Sequence, residues 1–106
     1  MTKSSKNLGP LTGVRVLDFT INVLGPVATQ ILGDMGAEVI KVETPAGDPM
    51  RLIGTSKTGA LGPFFQTTNR NKKSIVLNLK RPECKKALIA LLKTSDVFVH
   101  NMRQAA

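Results

Sequence analysis

The chain has 106 residues, 42% hydrophobic and 21% charged, and its 15 Lys+Arg against 7 Asp+Glu leave a formal net charge of +8. No run approaches the ~18 apolar residues of a membrane span, the start from Met1 to Pro10 lacks an apolar signal core, and the single Cys84 excludes a disulfide framework or a zinc module. A cytoplasmic α/β protein is expected, with no membrane partner and a field that favours anions such as phosphates.

Residues 1–9 show no periodicity and read as a disordered leader, with order beginning near Pro10. Val14 to Phe19 is a short, mainly apolar, β-branched run of the kind that forms a strand buried on both faces of a parallel sheet. Gly25-Pro26 then opens a helix, because proline in the first turn loses no needed donor, and Val27, Ala28, Ile31, Leu32 and Met35 recur at helical spacing. Gly36 stands where a left-handed residue would end that helix, and Ala37 to Glu43 reads as a second strand. Strand, helix and strand make one βαβ unit, whose two strands are parallel.

From Thr44 to Thr68 four glycines and three prolines predict a long loop without helix or strand, and loops of this length in compact domains usually carry function or are disordered. Ser74 to Leu79 is a third strand. Pro82 and Glu83 open a helix with Ala87, Leu88, Leu91 and Leu92 as its apolar stripe, and Asp96 to His100 is a fourth strand. The expected fold is α/β, a Rossmann-like parallel sheet built from two βαβ units. Four strands with so little cover imply the incomplete N-terminal part of a larger domain, occupying residues 10–106.

Ligands of open parallel sheets gather at the carboxyl ends of the strands, here near Thr20 to Leu24, Glu43 to Thr44, Asn78 to Lys80 and His100 to Arg103. A dinucleotide site is disfavoured, because the turn Thr20 to Pro26 has one glycine and a proline where G-x-G-x-x-G would let the backbone touch a pyrophosphate. Between Asn69 and Lys86, the cations Arg70, Lys72, Lys73, Lys80, Arg81, Lys85 and Lys86 face only Glu83, a net +6. This segment reads either as a solvated face or as a phosphate site. Nucleic acid is not expected as a partner, since the chain has no Trp or Tyr to interleave with the charge. His100 reads as a hydrogen-bonded strand-end residue, Cys84 as an inert thiol, Asp18 and Asp96 as strand-end hydrogen-bonding groups and Asp34 as a solvated helix residue. No metal-ligand cluster stands out.

Taken together, Pro10 to Phe19, Gly25-Pro26, Gly33-Asp34-Met35-Gly36-Ala37-Glu38-Val39-Ile40-Lys41-Val42-Glu43, Asn69-Arg70-Asn71-Lys72-Lys73-Ser74 and Asp96 to Asn101 resemble the opening of a class III CoA-transferase. This is the CaiB/BaiF family, which includes formyl-CoA and carnitine CoA-transferases and α-methylacyl-CoA racemases. The resemblance implies a Rossmann-like large domain, a smaller second domain and an interlocked homodimer. It implies coenzyme A or acyl-CoA as substrate, a carboxylic acid as acceptor, and no permanently bound cofactor. Transfer would run through an aspartyl-CoA intermediate, and the resemblance puts the catalytic aspartate beyond Ala106, so no catalytic residue is expected here and the fragment alone is expected to be inactive. The positions it assigns to CoA are Val23 and Leu24, then Thr44, where many members have arginine, then Leu77, Asn78, Leu79 and Lys80, and finally Asn101, Met102 and Arg103. An acyl-CoA racemase of the same family and a non-catalytic basic binding module are the alternatives.

Overall fold

The computed structural model describes residues 9–54 and 61–103. In chain order the elements are strand β1 (Arg15–Asp18), helix α1 (Leu24–Asp34), strand β2 (Glu38–Glu43), a 3-10 turn (Pro49–Leu52), helix α2 (Pro63–Thr68), strand β3 (Lys72–Val76), helix α3 (Pro82–Lys93) and strand β4 (Val97–Val99). The four strands form one parallel sheet in the order β3-β2-β1-β4. Both expected βαβ units are present, and the order is that of the first strands of a doubly wound sheet.

The two crossovers run in opposite directions along the sheet, so crossovers of one hand place α1 and α3 on opposite faces. Packing agrees. Val16, Ala37 and Val39 meet Leu32 of α1 together with Leu11, Val14 and Val99, whereas Leu17, Phe19, Ile40 and Val42 meet Leu88 and Leu91 of α3 with Ile75, Leu77 and Leu79. Alternation along each strand thus divides the core into two layers. Helix α1 ends as its sequence predicts, with Gly36 at φ 105°, a left-handed conformation that costs glycine little.

Three expectations are corrected. The stretch 44–68 is not a plain loop: it holds the 3-10 turn and α2. Two of its three prolines start helical turns rather than break them, since Pro49 follows Asp48, whose side chain accepts from the Met50 amide, and Pro63 follows Gly62. Residues 55–60 of that stretch lie outside the described residues. Strand β3 begins two residues before the predicted Ser74 and ends at Val76, because Lys72 pairs with Val39 of β2 and Leu77 to Leu79 leave the sheet. Gly9, assigned to the leader, already exchanges hydrogen bonds with Thr12, while residues 1–8 lie outside the described residues.

Candidate functional site

A cavity of about 220 Å³ opens at the carboxyl end of the sheet on its α3 side. Phe19 and Ile21 reach it from the end of β1, Val42, Glu43 and Thr44 from β2, Gly47, Asp48 and Pro49 from the following turn, Leu77 and Leu79 from beyond β3, and Met102 from beyond β4. Aliphatic, aromatic and thioether groups make most of the wall, and the polar side chains, Glu43, Thr44 and Asp48, come from the end of β2 and the turn after it, a composition that suits an organic ligand with a few fixed hydrogen-bonding groups.

Of the ten positions assigned to a ligand, Thr44, Leu77, Leu79 and Met102 are brought together in this wall. Asn101 instead ties the walls to one another. Its Oδ1 accepts from the Ile21 amide at 3.1 Å and its Nδ2 donates to the Ile21 carbonyl at 2.9 Å, joining the loops after β1 and β4 at the point where the strand order reverses. Asn78 shapes the turn into α3, accepting from the Lys80 amide at 3.1 Å. Val23 and Leu24, the first 47% and the second 84% exposed, stand at the start of α1 and do not line the cavity. Lys80 and Arg103 are exposed.

The basic segment divides. Arg70 pairs with Asp34 at 2.7 Å, Lys73 with Glu38 at 2.7 Å, Arg81 with Glu83 at 3.4 Å, and Lys72 reaches Asp18 at 3.0 Å with its side chain only 2% exposed. So neither reading, one solvated face or one phosphate site, describes the whole run. Asp34 is exposed at the end of α1, as a solvated helix residue should be, and also accepts from Arg70 and Asn71, which hold its carboxyl below the usual range. Asp96 accepts from the Arg15 amide at 2.9 Å, as a strand-end group should. His100 Nδ1 accepts from the Met102 amide at 3.2 Å, which also fits its expected role.

Next to the polar residues of the cavity lies a buried set of charges, of which only Asp18 was assigned a role from the sequence, as the strand-end hydrogen-bonding group it is. Asp18 accepts from the Thr20 amide, the Thr20 hydroxyl and the Thr29 hydroxyl at 2.9, 2.5 and 2.7 Å. Burial pushes its carboxyl up, but these bonds and the Lys72 ammonium outweigh that and hold it low. Lys41 Nζ lies 2.9 Å from Asp48 Oδ2 and donates to the Thr20 carbonyl at 2.7 Å. Burial likewise raises Glu43, yet the Arg51 guanidinium at 2.7 Å, the Asp48 amide and the Ser74 hydroxyl bring it down to about 2. Arg51 in turn lies 3.9 Å from the centre of the Phe65 ring, which fastens α2 to this cluster. The available signals were a lysine between the apolar residues Ile40 and Val42 of a strand and an aspartate just before Pro49. Among the described residues no group of three or more His, Cys, Asp or Glu side chains forms a metal-binding cluster, and no helix is long and apolar enough to cross a membrane.

This fold and its carboxyl-end cavity coincide with a sequence match to the family described as CoA-transferase family III, over residues 11–106. The chain belongs to that family. Human succinyl-CoA:glutarate CoA-transferase is 49% identical over 96 residues, which are 90% of this chain and 22% of the human protein. A crystal structure of a hypothetical protein (Rv3272) from Mycobacterium tuberculosis superposes with a TM-score of 0.81 at 43% identity, covering 92% of this chain and 26% of that one. A CaiB/BaiF family protein from Brucella suis superposes with a TM-score of 0.84 at 33% identity, over 92% and 27% of the respective chains. The chain thus spans about a quarter of the length of these relatives. The resemblance drawn from the sequence motifs and the α/β parallel-sheet architecture both stand.

Proposed function

We propose that these residues supply part of the CoA-binding surface of a cytoplasmic family III CoA-transferase, which moves CoA between an acyl-CoA and a carboxylic acid acceptor as an interlocked homodimer. The observation that carries this reading is the mainly apolar cavity at the carboxyl ends of β1, β2 and β3, in a chain whose family is defined by CoA transfer. Phe19, Val42, Leu77, Leu79 and Met102 offer a surface for the flat adenine ring, and exposed Lys80 and Arg103 supply cations for its phosphates.

In the reaction, an aspartate carboxylate outside these residues attacks the acyl thioester and expels CoA thiolate, leaving a mixed anhydride. The thiolate then attacks the aspartyl carbonyl and releases the donor carboxylate, giving an aspartyl-CoA thioester. The acceptor carboxylate attacks that thioester, and the thiolate expelled returns to the acceptor acyl group, freeing the aspartate. Each covalent step replaces part of one difficult exchange. The residues described here hold the nucleotide end and touch no reacting atom.

The test uses the whole protein. Leu79→Trp, which fills the cavity, is expected to weaken CoA binding about tenfold or more by titration calorimetry. Lys80→Ala and Arg103→Ala are expected to weaken CoA more than dephospho-CoA, and equal losses for the two ligands remove the 3′-phosphate assignment. Undiminished CoA binding by Leu79→Trp would overturn the cavity assignment.

A further inference from the structure

We infer that the buried Asp48–Lys41 pair positions the CoA site, holding the two loops that form its mouth in one relative arrangement; this rests on the reading of the cavity as the CoA site. Asp48 is 1% exposed and stands at the junction of three segments. Its own amide donates to Glu43 Oε1 at 2.7 Å, which anchors it to the end of β2. Its Oδ1 accepts from the Met50 amide at 3.0 Å, closing the turn that follows, and from the Asn22 amide at 3.2 Å, reaching across to the loop after β1. Asn22 has φ 73°, a left-handed conformation that a side chain such as asparagine tolerates but that needs surrounding contacts to persist.

Lys41 completes the arrangement from below. Its Nζ sits 2.9 Å from Asp48 Oδ2 and donates to the Thr20 carbonyl, so one ammonium is shared between the loop after β1 and the turn after β2. Asp48 Oδ2 has no hydrogen bond among the described residues, so the ammonium acts on that oxygen as a charge rather than as an aligned donor. Ile21, between the two tethered residues Thr20 and Asn22, lines the cavity, as do Thr44, Gly47 and Pro49 on the opposite loop. The pair therefore fixes the separation of two walls. A mouth set before the ligand arrives loses less conformational freedom on binding, which appears as affinity.

Asp48 also lines the cavity, but neither residue touches a reacting atom in the chemistry proposed above, so the effect belongs in KM and not in kcat. In the whole protein, Asp48→Ala removes both the acceptor and the charge, and it is expected to raise KM for the acyl-CoA donor about tenfold with kcat within about twofold of wild type. Asp48→Asn keeps an oxygen for the Asn22 and Met50 amides but loses the charge that faces Lys41, and is expected to recover only part of that loss. A purely structural defect would instead lower the amount of active enzyme, reducing kcat at unchanged KM. That pattern, or wild-type constants in Asp48→Ala, overturns the inference. If Asp48→Ala does not fold, the paired change Lys41→Met with Asp48→Leu, which removes both buried charges together, takes its place with the same reading. Hydrogen exchange at the Asn22 and Met50 amides separates this inference from the function on which it rests. Should the wild-type protein bind no CoA, the functional reading fails, and positioning is then decided by exchange alone. Faster exchange at both amides in Asp48→Ala, restored in Asp48→Asn, supports it, and unchanged exchange overturns it.

Discussion

On the α1 side of the sheet, charged side chains are sealed: Lys41 and Asp48 are each 1% exposed and Asp18 is 0% exposed, and every one of them has a partner of opposite charge. On the α3 side the layer is made of Leu17, Phe19, Ile40 and Val42, yet α3 itself has no buried residue, and Ile89 and Phe98 are about half exposed. The first side is held by buried ion pairs and by hydrogen bonds that fix loop positions, the second by apolar contact that leaves a cavity at one end. Buried pairs add little net stability when intact but are costly when halved, whereas apolar contact scales with area. One face therefore governs geometry, and the other offers a surface to a ligand.

The sharpest way to break this contrast is to halve a pair. Lys72→Met leaves the Asp18 carboxylate buried without its cation and is expected to cost about 3–5 kcal/mol, read from the urea midpoint of the whole protein, while adding Asp18→Leu should restore most of the loss. A cost no larger than that of an exposed pair would show that the charged face is not sealed. Next in size is the apolar layer, where Leu17→Ala, at a fully buried centre, is expected to cost about 2–5 kcal/mol. Leu92→Ala, at a site 39% exposed, is expected to cost under about 1 kcal/mol in the same measurement. Equal losses at the two sites would mean that α3 is as well covered as β1.

Acid sharpens the comparison from the charged side. Glu43 falls from an ordinary 4.5 to about 2 in the folded protein. A lowered folded value means that its stabilising contribution is fully present above about 4.5 and is lost as the pH falls toward about 2. Arg51→Met removes the main hydrogen-bonding partner and is expected to move acid unfolding, followed by circular dichroism, to higher pH. An unmoved midpoint would show that Arg51 does not hold Glu43 ionised. The smallest effect belongs to the surface: Lys73→Ala, whose side chain is 71% exposed beside Glu38, is expected to change stability by less than about 1 kcal/mol.

The four strands and the end of α1 were legible because apolar periodicity and punctuation agree: Val14 to Phe19 and Ala37 to Glu43 are continuous runs, and Gly36 ends α1 where a left-handed residue is required. The stretch 44–68 was misread because proline and glycine carry two meanings, breaker and helix start, and only tertiary contacts such as Arg51 on Phe65 select between them. The basic run was read only in part for a related reason. Spacing along the chain puts seven cations together, but their partners Asp18, Asp34 and Glu38 come from β1, α1 and β2, distant in sequence. Five of the eleven cavity residues, Ile21, Glu43, Thr44, Leu79 and Met102, fall in the strand-end segments, and the family resemblance adds Leu77. The rest, Asp48 above all, depends on a pairing with Lys41 across a turn whose conformation the local sequence does not dictate.

The most direct measurement is a crystal structure of the whole protein with CoA bound. The adenosine end is expected in the cavity, against Leu77, Leu79 and Met102, with the loops at Ile21 and Pro49 in the positions seen here. A nucleotide seated elsewhere, with this cavity closed by the protein's own side chains, would contradict that placement.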